Sequence, residues 1–173
     1  MSGQTQRITL AAASASPLLR AVGWGLPALM LVVTLLPDKQ ATPLSQGLLT
    51  TLALGILVWF QLAPRRLAYT LTPDAVVIQR ILAQTRLPYA GLRARRTDGV
   101  LGTRTFGTGL PGYLTGHFTL NNDKKSVKQV LAAASTTHGG VLLHSGDAHY
   151  FLTPADPKCF LTELSRRGAK VKI

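Results

Sequence analysis

Four histidines, one cysteine, a glycine-rich run and a concentration of arginine are the residues of this 173-residue chain whose types could carry chemistry. His117, His138, His144 and His149 invite a metal reading, and the last two flank the turn Ser145-Gly146-Asp147, which could set them face to face. Zinc takes three or four well-placed ligands, however, and carboxylates near these imidazoles are few. Surface or half-buried histidines are therefore expected, and no metal is assigned. Cys159 has no candidate base beside it and precedes Phe160 in an amphipathic stretch, so a small packing side chain is expected there. Gly107-Thr108-Gly109-Leu110-Pro111-Gly112 fits G-x-G-x-x-G by letter. A dinucleotide loop needs a helix N-terminus behind it and an acidic residue about 20 positions further on. Here Tyr113 onward has strand character, Pro111 lacks an amide donor, and no such acid is present. The glycines are expected to serve backbone geometry, by positive φ or close packing, and no cofactor is expected.

The chain contains no G-x-S-x-G, no H-E-x-x-H and no P-loop lysine. From residue 65 to 173 there are 16 Lys and Arg against 6 Asp and Glu, so paired carboxylates for acid and base work are hard to assemble. A non-catalytic protein is expected. The same count leaves a charge of +10 on that part, a field that attracts polyanions or anionic lipid. Arg65, Arg66, Arg93, Arg95, Arg96 and Arg104 are the candidate surface for lipid or a partner, with Lys124, Lys125 and Lys128 as a second group. The competing reading is that these cations only set topology and solubility.

The elements that must position these residues begin with two uncharged apolar runs. Residues 21–36 and 45–63 read as a transmembrane helical hairpin, with spans over about 18–37 and 45–63, because a hydrocarbon core needs about 20 apolar residues at helical rise. Arg7 and Arg20 before the first run, and Arg65 and Arg66 after the second, predict an inner-membrane protein with both termini cytoplasmic. Residues 1–17 read as a flexible tail, 18–64 as the hairpin, 65–168 as one domain and 169–173 as a basic tail. Gly23, Gly25 and Gly55 permit homo-oligomer packing of helices without requiring it.

After Pro64 the period switches. Alternation over residues 67–72 and 75–81 predicts a strand hairpin turned at Pro73-Asp74, with shorter extended pieces at 86–88 and 92–97. Residues 99–116 read as a glycine-rich loop, followed by strands near 113–120, 126–132, 141–144 and 148–152. Asp156-Pro157 is an N-cap and first-turn proline, and Phe160, Leu161 and Leu164 then form the apolar stripe of one closing helix.

Gly102-Thr103-Arg104, then Gly107, Gly109, Pro111, Gly112 and Tyr113, then Gly116 and Phe118, and finally Tyr150 to Pro154 before the helix, make residues 67–167 resemble the bacterial pleckstrin-homology-like domains of small membrane-anchored proteins. That resemblance implies two nearly orthogonal antiparallel sheets capped by a C-terminal helix, and no catalytic residue. With the spans, it makes the expected protein a membrane-anchored binding module for protein or anionic lipid headgroups. The alternatives are a membrane-tethered nucleic-acid-binding domain, for which aromatic stacking platforms are sparse, or an enzyme without a recognisable motif.

Overall fold

The computed structural model describes residues 5–12, 25, 28, 29, 31, 32, 42–62, 64–123 and 127–172. Alternating apolar side chains build the first sheet. Strand β1 (Gln6–Ile8) pairs with β2 (Ala68–Leu71), which pairs with β3 (Ala75–Gln79) and then with β4 (Gln84–Pro88), all antiparallel. The reversal between β2 and β3 is held by Thr72, whose hydroxyl donates to the Ala75 carbonyl at 2.8 Å and accepts from the Ala75 amide at 3.1 Å.

The second sheet has seven strands: β5 (Arg93–Arg96), β6 (Val100–Leu110), β7 (Tyr113–Asn121), β8 (Gln129–Ala134), β9 (Val141–Ser145), β10 (Ala148–Leu152) and β11 (Lys170–Lys172). Their order in space is β11-β5-β9-β10-β8-β7-β6. Two pairings, β10 with β8 and β11 with β5, are parallel, so the sheet is mixed where an antiparallel one was expected.

The main core lies between the two sheets and under helix α2 (Pro157–Arg166), with Tyr69, Val76 and Ile78 from one sheet, Leu143 and Leu152 from the other, and Phe160, Leu161 and Leu164 from the helix. The helix starts as the sequence predicts, because the Asp156 carboxylate accepts from the amides of Lys158 and Cys159 at 2.9 and 3.0 Å. Cys159 itself is exposed, one step off the apolar stripe, and is not the packing residue expected. Two tyrosines tie the sheets together. The Tyr69 hydroxyl donates to the Ala133 carbonyl and accepts from the Thr153 amide, and the Tyr113 hydroxyl accepts from the Ile81 amide at 3.0 Å. On the far face of the second sheet, Leu101, Phe118, Leu120, Val130, Leu142 and Phe151 form a smaller cluster.

The N-terminal stretch is not loose over its described part. Beyond β1, the Ala11 amide donates to the Thr153 carbonyl and the Ala155 amide to the Thr9 carbonyl, both at 2.9 Å.

The transmembrane hairpin is a correction. Among the described residues no helix is long and apolar enough to cross a membrane. The second run forms α1 (Pro43–Leu62), where Ser45, Gln46, Thr50 and Thr51 interrupt the apolar pattern, and most of the first run lies outside the described residues. The multi-pass, inner-membrane placement with both termini cytoplasmic falls with it. Leu44, Leu48, Leu52 and Val58 of α1 are exposed, and Ala53 is buried.

Candidate anion-binding site

Pairing register decides which charged side chains meet. In the second sheet Lys170 stands beside Arg93, Arg93 opposite His144, and His144 opposite His149, so one residue from each of β11, β5, β9 and β10 falls in a single lateral rank. Two residues along, Lys172, Arg95, Leu142 and Phe151 form the next rank on the same face. Neighbouring strands are about 4.8 Å apart and alternate residues about 6.8 Å, so Lys170, Lys172, Arg93 and Arg95 make a grid of positive charge over a few ångströms.

This face forms the floor of a half-open cavity of about 810 Å³, walled on one side by Val127, Lys128 and Gln129. Among the described residues, five cations and two imidazoles line it, with no hydroxyl, thiol or carboxylate side chain. Beside the cavity stands Asp123, whose side chain is 2% exposed. It accepts from the Arg95 guanidinium at 2.5 Å and from the Thr97 hydroxyl at 2.9 Å, which fixes Arg95 at the cavity edge. Arg93, Lys128, Lys170 and Lys172 form no salt bridge among the described residues. The His144 and His149 rings sit 4.6 Å apart, tilted by 51°. Burial, then the neighbouring His144, then Arg95 hold His149 below the usual imidazole range, with Asp123 opposing them. No group of three or more metal-ligating side chains occurs among the described residues, and the surrounding cations repel a divalent ion.

Of the six arginines singled out by sequence, the cavity brings together Arg93 and Arg95. Arg96 is exposed and one residue out of phase with those two, so it belongs to the opposite face. Arg65 and Arg66 are exposed in a one-turn helix after α1, and Arg104 lies on β6 against Gly109, with no ion pair to Asp98. Sequence reasoning missed Lys170 and Lys172, because a basic stretch at the end of the chain has no turn or partner signal. The alternation Ala169-Lys170-Val171-Lys172, buried Ala169 and half-buried Val171 against exposed lysines, is the signal that could have found the strand.

The segment 99–116 is a hairpin rather than a structureless loop. β6 and β7 pair through Leu110 and Tyr113, and Pro111-Gly112, with Gly112 at φ 78°, supplies the two-residue turn. Gly107 and Gly116 face each other across the ladder at φ 108° and 119°, and a Cβ on either would fall 2.2 Å from the opposite strand's carbonyl oxygen. Gly102 is tight for another reason, since its Cβ would meet the Asn121 and Thr119 side chains at 2.5 and 2.6 Å. Phe118 is buried in the smaller cluster. With a strand on both sides of the run and no helix after it, the glycines build a hairpin arm and not a phosphate cradle.

A family model described as Bacterial PH domain matches residues 67–168, which span β2 through α2. No curated protein and no solved structure matches the chain. With more than half of its length covered by that match, and two sheets closed by a C-terminal helix, the chain belongs to the bacterial PH domain family.

Proposed function

We propose that the protein is a non-catalytic binding module that holds an organic anion in the cavity on the β5, β9, β10 and β11 face of its PH domain. The observation that carries this reading is the convergence, among the described residues, of five cations and two imidazoles on one concavity, where Asp123 is already engaged by Arg95 and Thr97. The volume falls within the range of roughly 300–1,000 Å³ typical of small-molecule sites. Leu142 and Val127, with the aliphatic stems of the arginines and lysines, give it apolar wall beside the charge. The recognised chemistry is a phosphate, sulfate or carboxylate group. It can come from a soluble metabolite or from a headgroup.

The test is thermal unfolding of the full-length chain with phenyl phosphate, glycerol 3-phosphate or neutral phenol, for the wild type and for Arg93→Gln/Lys170→Gln/Lys172→Gln. A site-bound anion raises the wild-type midpoint by mass action, and the triple variant loses the effect. Preference for phenyl phosphate over glycerol 3-phosphate assigns the site to an anion with an apolar body. Equal stabilisation by phenol, or of the triple variant, contradicts the reading.

A second reading has its own observation. β6 is an edge strand of 11 residues, and Phe106 on it is 75% exposed. Long exposed edges accept an extended segment of another protein as an added strand. Binding that survives the triple cavity substitution and is lost in Phe106→Ala would favour that partner.

A further inference from the structure

The two ranks of the cavity floor differ in a way that the charge count alone does not convey. The rank Lys170, Arg93, His144, His149 is polar across its whole width, whereas the rank Lys172, Arg95, Leu142 ends in the lining on an apolar side chain, with Phe151, next in register, buried beyond it. A ligand lying across both ranks meets charge at one end and hydrocarbon at the other. The imidazoles sit at the polar end, directly opposite each other on adjacent strands, and their rings are in contact.

Two imidazolium ions at that separation repel, and each also faces fixed cations. From β5 come Arg93 and Arg95, and from β11 Lys170 and Lys172. Lys128 stands on the wall, Asp123 is the opposing charge, and the neighbouring β8 position is Val130. These surroundings favour the neutral form of His149, whose imidazole is held below its usual range. An oxyanion seated against the rings reverses the balance, because a nearby negative charge favours imidazolium and accepts hydrogen bonds from it.

We propose that the cavity holds an amphiphilic organic anion, its charged head against the His144–His149 pair and its apolar body towards Leu142 and Val127, and that binding draws a proton onto that pair. The proposal rests on the reading of the cavity as an anion site. Its sign is fixed by linkage. If the bound complex carries more protons than the free protein, affinity rises as pH falls through the imidazole range. The effect is about tenfold for each unit by which binding raises the imidazole pKa. A neutral-pH ligand site thereby becomes one that fills in a more acidic environment.

Phenyl sulfate is the probe, since its charge stays constant across the imidazole range and the ligand does not titrate. Calorimetric titration of the full-length chain at several pH values from 5.5 to 8, each in two buffers of different ionisation enthalpy, reads affinity and proton uptake together. The expected result is affinity rising on the order of tenfold towards acid, with net proton uptake near neutrality. His149→Gln should flatten that profile, and methyl sulfate, which has the head without the body, should bind more weakly. Binding of phenyl sulfate with a flat pH profile and no proton uptake overturns the coupling while leaving the anion site standing. A pH-dependent profile retained in His149→Gln/His144→Gln also overturns it. Equal affinity for methyl and phenyl sulfate removes the apolar half of the proposal. No binding of either at any pH, together with no stabilisation by phenyl phosphate, overturns the site itself.

Discussion

Tyr69 shows how a single residue can hold two sheets together and set a pH limit. Its hydroxyl is fully buried, joins the Ala133 carbonyl to the Thr153 amide, and is pushed up to about 12 by burial, against hydrogen bonding to Thr153 that works the other way. A folded-state value above the unfolded one means that its contribution is complete below about pH 10 and is lost as pH rises towards 12. Chemical denaturation of the wild type should therefore give constant tyrosine-linked stability up to about pH 10 and a loss of about 3 kcal/mol across the next two units. Tyr69→Phe should lack that alkaline loss and be weaker at neutral pH by about 1–3 kcal/mol, because two buried backbone groups lose their partner. Asp123 is the comparable residue at the cavity. Asp123→Ala removes the acceptor of both Arg95 and Thr97 and should lower stability by about 1–3 kcal/mol in the same assay. Neither role was legible in the sequence. An aspartate after Asn121-Asn122 reads as a turn residue, and nothing local shows that its carboxylate is turned inward onto a strand formed some 28 residues earlier.

Among the elements, α2 was the most readable, because Asp156-Pro157 and the spacing of Phe160, Leu161 and Leu164 specify both its start and its buried face without reference to anything distant. Asp156→Ala should cost about 1 kcal/mol by denaturant unfolding, and Phe160→Asp should abolish cooperative unfolding, since a carboxylate in that apolar seat costs several kcal/mol. The β6 and β7 arm was the least readable. Its glycines resemble loop composition, yet Gly107 and Gly116 are there because each sits under the other strand's backbone at positive φ. Gly107→Ala and Gly116→Ala should each cost more than about 1 kcal/mol, and the double variant should cost less than the sum, because the two residues share one contact. The strand β11 escaped notice for a different reason. Its partner β5 is parallel to it and is reached only after α2, and a three-residue strand carries too little alternation to announce itself.

For the whole molecule, hydropathy and charge pointed to a membrane hairpin, but an uncharged window says only that a segment is apolar on average. The described helix is interrupted by polar residues early in its length, and no described helix meets the requirement for crossing a bilayer. The net charge of +12 was legible at once, whereas its useful part was not. Concentration of charge depends on strand register, which brings Lys170 and Lys172 beside Arg93 and Arg95 and leaves Arg65, Arg66 and Arg104 elsewhere. The central claim is therefore one of place, that anion binding belongs to the ranked face of the second sheet and not to the positive surface at large. Amide chemical-shift mapping of the isotope-labelled full-length chain during titration with phenyl sulfate tests it most directly. The account predicts saturable shifts concentrated at Arg93, Arg95, His144, His149, Lys170 and Lys172, and shifts that follow Arg65, Arg66 and Arg104 instead, or that spread evenly over the basic surface, would contradict it.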